Sequence, residues 1–210
     1  ETMTILLSDG LGGFLPAPTL PLDGLSSVGV SLRDMNADGR QDIVGVTSAL
    51  VVRRSLGAGA FGSLESIPGT EATSSWDLAD LDGDGLQDLV TVTGDALFRF
   101  HPGLGGGSFG PPSSVATLGA TVWVRAGDVD GDGLADVVLG QQCLGQGTCQ
   151  TSVAFLAQSG GGFGNAIGLL DAEDGLASPG VVLDLDGDDR HEVLIGAGIN
   201  QCRRQYGHPA

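Results

Sequence analysis

The sequence predicts an all-β fold, a β-propeller built from four repeats. Two markers recur with one period along the chain, an acidic loop and a Gly-Phe turn. The composition agrees with short strands joined by tight turns, because 37 of the 210 residues are glycine and only 5% are aromatic. Glycine adopts positive φ angles at little steric cost, and many tight turns require such angles.

The acidic loop is a nine-residue segment with Asp at positions 1 and 5, Asp or Asn at position 3, and Asp or Glu at position 9. Its starts are 46, 48 and 56 residues apart, and the Phe residues of the Gly-Phe turns are 47, 48 and 54 residues apart. The four loops are DMNADGRQD (34–42), DLDGDGLQD (80–88), DVDGDGLAD (128–136) and DLDGDDRHE (184–192), and the turns contain Phe14, Phe61, Phe109 and Phe163. A period shared by two separate markers indicates true internal repeats.

Short apolar runs follow every acidic loop and predict strands there. They are IVGV (43–46), LVTV (89–92), VVLG (137–140) and VLIG (193–196). No segment combines a 3.6-residue apolar period with helix caps, so we expect few helices. Repeats of about 40–50 residues with some four strands each are typical of propeller blades.

We therefore predict a single domain over residues 1–210. The expected repeat units cover approximately residues 22–68, 69–117, 118–170 and 171–210, and residues 1–21 complete the last unit. This closure of N-terminal strands onto C-terminal strands would produce four blades. The alternative is that the repeats form part of a larger propeller, or that a second chain completes the ring.

The spacing of oxygen-bearing side chains in the acidic loop predicts a calcium site. Ca²⁺ takes about 6–8 oxygen ligands at roughly 2.3–2.6 Å. Carboxylates at positions 1, 3 and 5 converge if the loop curls tightly, which glycine at position 6 permits. A main-chain carbonyl at position 7 and the carboxylate at position 9 would complete the shell. The predicted ligands are Asp34, Asn36, Asp38, Arg40 (carbonyl) and Asp42; Asp80, Asp82, Asp84, Leu86 (carbonyl) and Asp88; Asp128, Asp130, Asp132, Leu134 (carbonyl) and Asp136; and Asp184, Asp186, Asp188, Arg190 (carbonyl) and Glu192.

Up to four Ca²⁺ ions are expected, and the fourth loop departs furthest from the common pattern. Asp189 replaces the glycine at position 6, and Glu192 is one methylene longer than Asp. We expect the site at 184–192 to be the weakest or atypical one. An EF-hand is excluded because position 12, where that motif needs Glu, is Gly45, Thr91, Leu139 or Ile195.

The paired loops and turns resemble the FG-GAP/VCBS repeat family, the calcium-binding repeats of integrin α-subunit propellers and of many secreted bacterial proteins. The turns FGPP (109–112) and FGNA (163–166) carry the resemblance most closely, and it extends over essentially the whole chain. It implies a secreted, extracellular or cell-surface protein, with a periplasmic location as a further option. The implied function is an adhesion or lectin-like module that binds a protein or carbohydrate, with Ca²⁺ mainly structural. The alternative is a non-catalytic accessory propeller of a larger secreted enzyme.

Several motifs that suggest catalysis are explained by the repeats. GGSFG (106–110) matches a nucleophile elbow around Ser108, but the other repeats carry Ala60, Gly162 or Gly13 at the related position. GAGAFG (57–62) and GGGSFG (105–110) match a dinucleotide fingerprint without the βαβ unit that it requires. We therefore predict that the chain is not an enzyme. The net charge of -17 also disfavours binding to nucleic acid or anionic membranes.

Two Trp residues and three Cys residues complete the set of candidates. Trp76 and Trp123 precede acidic loops, and core packing is favoured over a place on a ligand-binding face. Cys143 and Cys149 bracket a short insertion, which predicts a local disulfide and an oxidising compartment. Cys202 is left over, so its partner would lie beyond the chain or in a second chain.

Overall fold

The computed structural model describes residues 2–25, 30–142, 149–172 and 180–195, and in these ranges the regular structure is entirely β. No helix in them could span a membrane. In chain order the strands are β1 (Thr2–Met3), β2 (Leu6–Ser8), β3 (Phe14–Pro16), β4 (Leu20–Pro21), β5 (Ser31–Arg33), β6 (Asp42–Val46), β7 (Leu50–Gly57), β8 (Ala60–Ser66), β9 (Ser75–Ala79), β10 (Asp88–Val92), β11 (Leu97–His101), β12 (Gly103–Gly105), β13 (Ser108–Phe109), β14 (Ser113–Ala116), β15 (Ala120–Gly127), β16 (Asp136–Gln142), β17 (Cys149–Phe155), β18 (Ala157–Gln158), β19 (Gly162–Phe163), β20 (Ile167–Ala172), β21 (Gly180–Leu183) and β22 (Glu192–Ile195).

Three four-stranded antiparallel sheets follow one another along the chain. Their strand orders are β5-β6-β7-β8, β9-β10-β11-β14 and β15-β16-β17-β20. In the second and third sheets, the short ribbons β12-β13 and β18-β19 extend the hairpin between the third and fourth strands. Each acidic loop connects the first strand of a sheet to the second, so the repeated sequence corresponds to a repeated place in the fold.

The two ends of the described chain are half-sheets of opposite kinds. The N-terminal hairpin, β1-β4 with the ribbon β2-β3, has the pattern of the last two strands of a sheet. The C-terminal hairpin, β21-β22, encloses the fourth acidic loop and has the pattern of the first two strands. Among the described residues these hairpins do not pair with each other. The predicted all-β fold is confirmed, whereas closure into four blades is not found in this part of the chain.

A buried arginine attaches the N-terminal hairpin to the first sheet. Arg53 on β7 is only 5% exposed. Its guanidinium donates hydrogen bonds to the carbonyls of Pro21 (3.2 Å) and Gly62 (3.0 Å), and it forms an ion pair with Asp23. A buried guanidinium needs such partners, because an unpaired buried charge is strongly destabilising. The hairpin is therefore held by polar contacts at its C-terminal end.

Apolar side chains fill the spaces between consecutive sheets. Between the second and third sheets, the ring of Phe98 meets those of Phe155 and Phe163 edge-on, with centroids 5.2 Å and 5.1 Å apart. Phe163 belongs to the Gly-Phe turn, and Phe109 packs in the same way on the core between the first and second sheets. The repeated spacing of the turn thus places one aromatic ring at each of these junctions.

Both tryptophans serve the core, as predicted. Trp123 is 4% exposed and lies over Gly140, where a Cβ would collide with the indole ring. Trp76 packs against the cluster that contains Val44 and Leu89. The predicted disulfide cannot be compared with the fold, since residues 143–148 and Cys202 lie outside the described residues.

The buried His101 is neutral at pH 7. Its Nε2 lies 3.1 Å from the hydroxyl of Thr91, and the residue is 0% exposed. Burial, with a smaller contribution from the charge of Arg99, lowers the pKa of His101 to about 4. We therefore assign it to the core rather than to a site.

Equivalent apolar positions are more buried in the inner repeats than in the last one. At loop position 2, Met35 is 2% exposed, Leu81 is 0% exposed and Val129 is half-buried, but Leu185 is 55% exposed. In the second strand, Val90 and Val138 are 0% exposed, whereas Leu194 is 57% exposed. Burial at these positions therefore depends on the neighbouring sheet and not on the repeat alone.

This contrast predicts different costs for one substitution in two repeats. Leu81→Ala should lower the free energy of unfolding by about 2–5 kcal/mol, because it leaves a cavity between sheets. Leu185→Ala should change it by less than about 1 kcal/mol, because the side chain already contacts water. Urea denaturation of both variants measures the difference. Equal losses would show that the two positions have equivalent surroundings.

Candidate metal centres

Each acidic loop is folded by carboxylates that accept hydrogen bonds from its own main chain. At position 1 of the second loop, Asp80 accepts from the amides of Gly83 (2.8 Å) and Gly85 (3.0 Å). The same pair of bonds forms at Asp128 with Gly131 and Gly133, and at Asp184 with Gly187 and Asp189. The carboxylate at position 1 therefore acts as the hub around which the loop curls.

Two positions of the loop adopt left-handed backbone conformations. At position 6, Gly85 has φ of 83° and Asp189 has φ of 68°, so the curl predicted at this position is present even without glycine. Position 4 is also left-handed, and Gly83 has φ of 81° there. Sequence reasoning missed position 4, although glycine in three of the four copies was a signal for it. In the first loop Ala37 occupies this position with φ of 58°, which is unfavourable for a residue with a Cβ.

In the first three loops, the carboxylate at position 9 is buried and joins the loop to a distant strand end. Asp88 is 0% exposed, and its two oxygens accept hydrogen bonds from the amides of Leu81 (2.8 Å) and Gly103 (2.6 Å). The same double bridge forms at Asp42, with Met35 and Ser55, and at Asp136, with Val129 and Ala157. In the fourth loop, Glu192 accepts from the amide of Leu185 (2.8 Å).

Burial raises the pKa of both Asp88 and Asp136. The two amide bonds to each carboxylate oppose this shift, and the neighbouring loop carboxylates add to it. A carboxylate in these surroundings is therefore less stable in its charged form than the same group in water. A cation placed beside it would stabilise the charged form.

Three loops bring three carboxyl groups together. The groups are formed by positions 1, 3 and 9, and within each group the candidate ligand oxygens lie within 4.8 Å of one another. They are Asp80, Asp82 and Asp88; Asp128, Asp130 and Asp136; and Asp184, Asp186 and Glu192. The first loop has Asn36 at position 3, and no group of three acids forms there among the described residues.

The carboxylate predicted at position 5 lies outside these groups. Asp84, for example, uses one oxygen to accept a hydrogen bond from the amide of Leu86 at position 7 (2.8 Å). The equivalent hydrogen bond forms in the other three loops. Asp38, Asp132 and Asp188 accept it from the amides of Arg40, Leu134 and Arg190, respectively. The assignment of position 5 and of the position 7 carbonyls as ligands stays a prediction.

The donor sets fit a hard divalent cation. Every candidate ligand in the three groups is a carboxylate oxygen, and no His or Cys belongs to them. Such sets favour Ca²⁺ or Mg²⁺, whereas softer transition metals prefer imidazole or thiolate ligands. Carboxylates so close together repel one another unless a cation or a proton neutralises them.

Comparison with known families agrees with the repeat structure. A family model described as an FG-GAP-like repeat matches residues 34–91 and again residues 80–139. Together the matches cover 106 of the 210 residues, and each runs from the start of one acidic loop through the next loop into a second strand. No curated protein matches the chain.

The left-handed positions predict opposite effects of exchanging Gly and Ala. Gly85→Ala should lower the free energy of unfolding by about 1–2 kcal/mol for conformational reasons alone, since a Cβ there would meet no atom within 4 Å. Ala37→Gly should raise it by roughly 0.5–1 kcal/mol through relief of the same strain. Thermal or urea unfolding in EDTA measures both. A destabilised Ala37→Gly protein would contradict this account of position 4.

Proposed function

Because the chain belongs to the FG-GAP-like repeat family, we propose that it is a calcium-binding, propeller-type recognition module that acts outside the cell or at its surface. The observation that carries the calcium assignment is the three groups of converging carboxylates in equivalent loops. The resemblance to integrin-type and lectin-type propellers supports a protein or carbohydrate as the ligand. The alternative is an accessory domain of a larger secreted enzyme.

The placement of the loops supports a structural role for the ion. Each loop closes the hairpin between the first and second strands, and in the first three loops the buried position 9 carboxylate also holds a distant strand end. Main-chain bonds join consecutive loops, from the amide of Ala135 to the carbonyl of Asp80 (3.1 Å) and from the amide of His191 to the carbonyl of Asp128 (2.7 Å). An ion that stabilises one loop therefore acts at a junction between repeats.

Calcium should stabilise the folded protein by mass action. At a Ca²⁺ concentration of about 100 times Kd, one site contributes about 2.7 kcal/mol, which corresponds to a rise in Tm of roughly 5–10 °C. Differential scanning fluorimetry in EDTA and in Ca²⁺ measures this shift. Asp82→Asn and Asp130→Asn should each reduce it, whereas Glu65→Gln, on the exposed fourth strand of the first sheet, should leave it unchanged. Equal melting in EDTA and in Ca²⁺ would refute the calcium assignment.

Recognition is tested by binding assays under the same two conditions. A glycan array and a pull-down with extracellular proteins should yield a ligand that binds in Ca²⁺ and is lost in EDTA, because the ion maintains the fold that presents the loops. Heat-unfolded protein is the matched control. Reproducible absence of a ligand would contradict the recognition function. A catalytic domain in the same reading frame would favour the accessory role.

A further inference from the structure

We propose that the first acidic loop binds no metal ion, because it lacks a carboxylate at position 3 and the guanidinium of Arg40 neutralises the carboxylate at position 5. This inference rests on the proposed calcium function of the other loops. It assigns Ca²⁺ to the loops at 80–88, 128–136 and 184–192, and it counts the fourth loop, expected from the sequence to be the weakest, among those that bind.

The guanidinium of Arg40 forms an ion pair with the carboxylate at position 5 of its own loop. Its terminal nitrogen lies 2.7 Å from Oδ2 of Asp38. Its Nε donates to the carbonyl of Ser55 (3.2 Å), so the group is held from two sides. Position 7 is leucine in the second and third loops, and these offer no such charge.

The side-chain amide of Asn36 also donates a hydrogen bond to the carboxylate of Asp38. Its Nδ2 donates to Oδ2 of Asp38 (2.9 Å), while its Oδ1 accepts from the amide of Asp38 (3.3 Å). Reversing the amide would set a donor against a donor, so the network determines its orientation. The loop therefore presents an N–H donor at position 3, where the other loops present a carboxylate that can bind a cation.

The carboxylate at position 1 of the first loop accepts hydrogen bonds from a different pair of amides. Asp34 accepts from the amides at positions 5 and 6, Asp38 (3.1 Å) and Gly39 (2.8 Å). In the other three loops the carboxylate at position 1 accepts from positions 4 and 6. The geometry of the first loop thus differs from that of the loops that gather three carboxylates.

An arginine at position 7 does not by itself produce this arrangement, as the fourth loop demonstrates. The side chain of Arg190 lies over Gly131 of the preceding loop, where its Cγ and Cδ would be 3.1 Å and 3.2 Å from a Cβ. Among the described side chains, Arg190 forms no ion pair with Asp188. Arg190 is therefore a matched control for Arg40.

Counting bound ions tests the proposal directly. Native mass spectrometry of the folded protein in Ca²⁺ should find three ions. Asp34→Asn should leave this count unchanged, whereas Asp80→Asn, at the same position of the second loop, should lower it by one. The double variant Asn36→Asp/Arg40→Leu restores the sequence pattern of the second and third loops and should gain one ion, and adding Asp34→Asn should remove it. Arg190→Leu should not change the count.

Three outcomes overturn the proposal. They are the loss of one bound ion from the wild-type protein on Asp34→Asn, no additional ion in the double variant Asn36→Asp/Arg40→Leu, and an additional ion in Arg190→Leu. Absence of any bound ion would instead refute the calcium function. The ion pair of Arg40 with its loop carboxylate can still be tested in that case, by the stability of the metal-free protein. In EDTA, Arg40→Leu should lower Tm by about 2–4 °C and Arg190→Leu should not, because only Arg40 pairs with its loop carboxylate. Equal Tm values for these two variants would overturn the proposal.

Discussion

The buried carboxylate at position 9 of the acidic loop is the interaction on which the rest of the structure depends. Asp42, Asp88 and Asp136 each bridge two main-chain amides that are far apart in sequence, one in the loop and one in or just after the third strand. A buried carboxylate without these partners would be strongly unfavourable. With them, it sets the distance between the loop and the sheet that the loop serves.

The order imposed by these bridges extends from the loops to the core. In the first and second loops, which are held against their sheets in this way, the side chain at position 2 lies in the space between sheets, as Met35 and Leu81 show. The Gly-Phe turn of the following repeat delivers Phe109 or Phe163 to the same space. Polar and apolar contacts are thus two consequences of one repeated geometry, and sites and core cannot vary independently.

The sequence was sufficient for the repeats and the convergent carboxylates, but not for their individual surroundings. The convergence of positions 1, 3 and 9 followed from spacing, because residue types that can bind a cation recur at fixed offsets. The role of Arg40 did not follow, since a side chain at position 7 can turn to its own loop or, as Arg190 does, to the preceding one. The sequence also left open whether the terminal hairpins pair with each other, because strand patterns specify faces and not partners.

The main-chain bonds between consecutive loops have a mechanical consequence. Ala135 is bonded to Asp80 and His191 to Asp128, so the second, third and fourth loops form a row in which consecutive loops are linked. A force that pulls the C-terminal hairpin away would load these links one after another, as in peeling, rather than together, as in shear. Resistance to extension would then be set by the single weakest junction, in keeping with the nearest-neighbour energetics of repeat proteins.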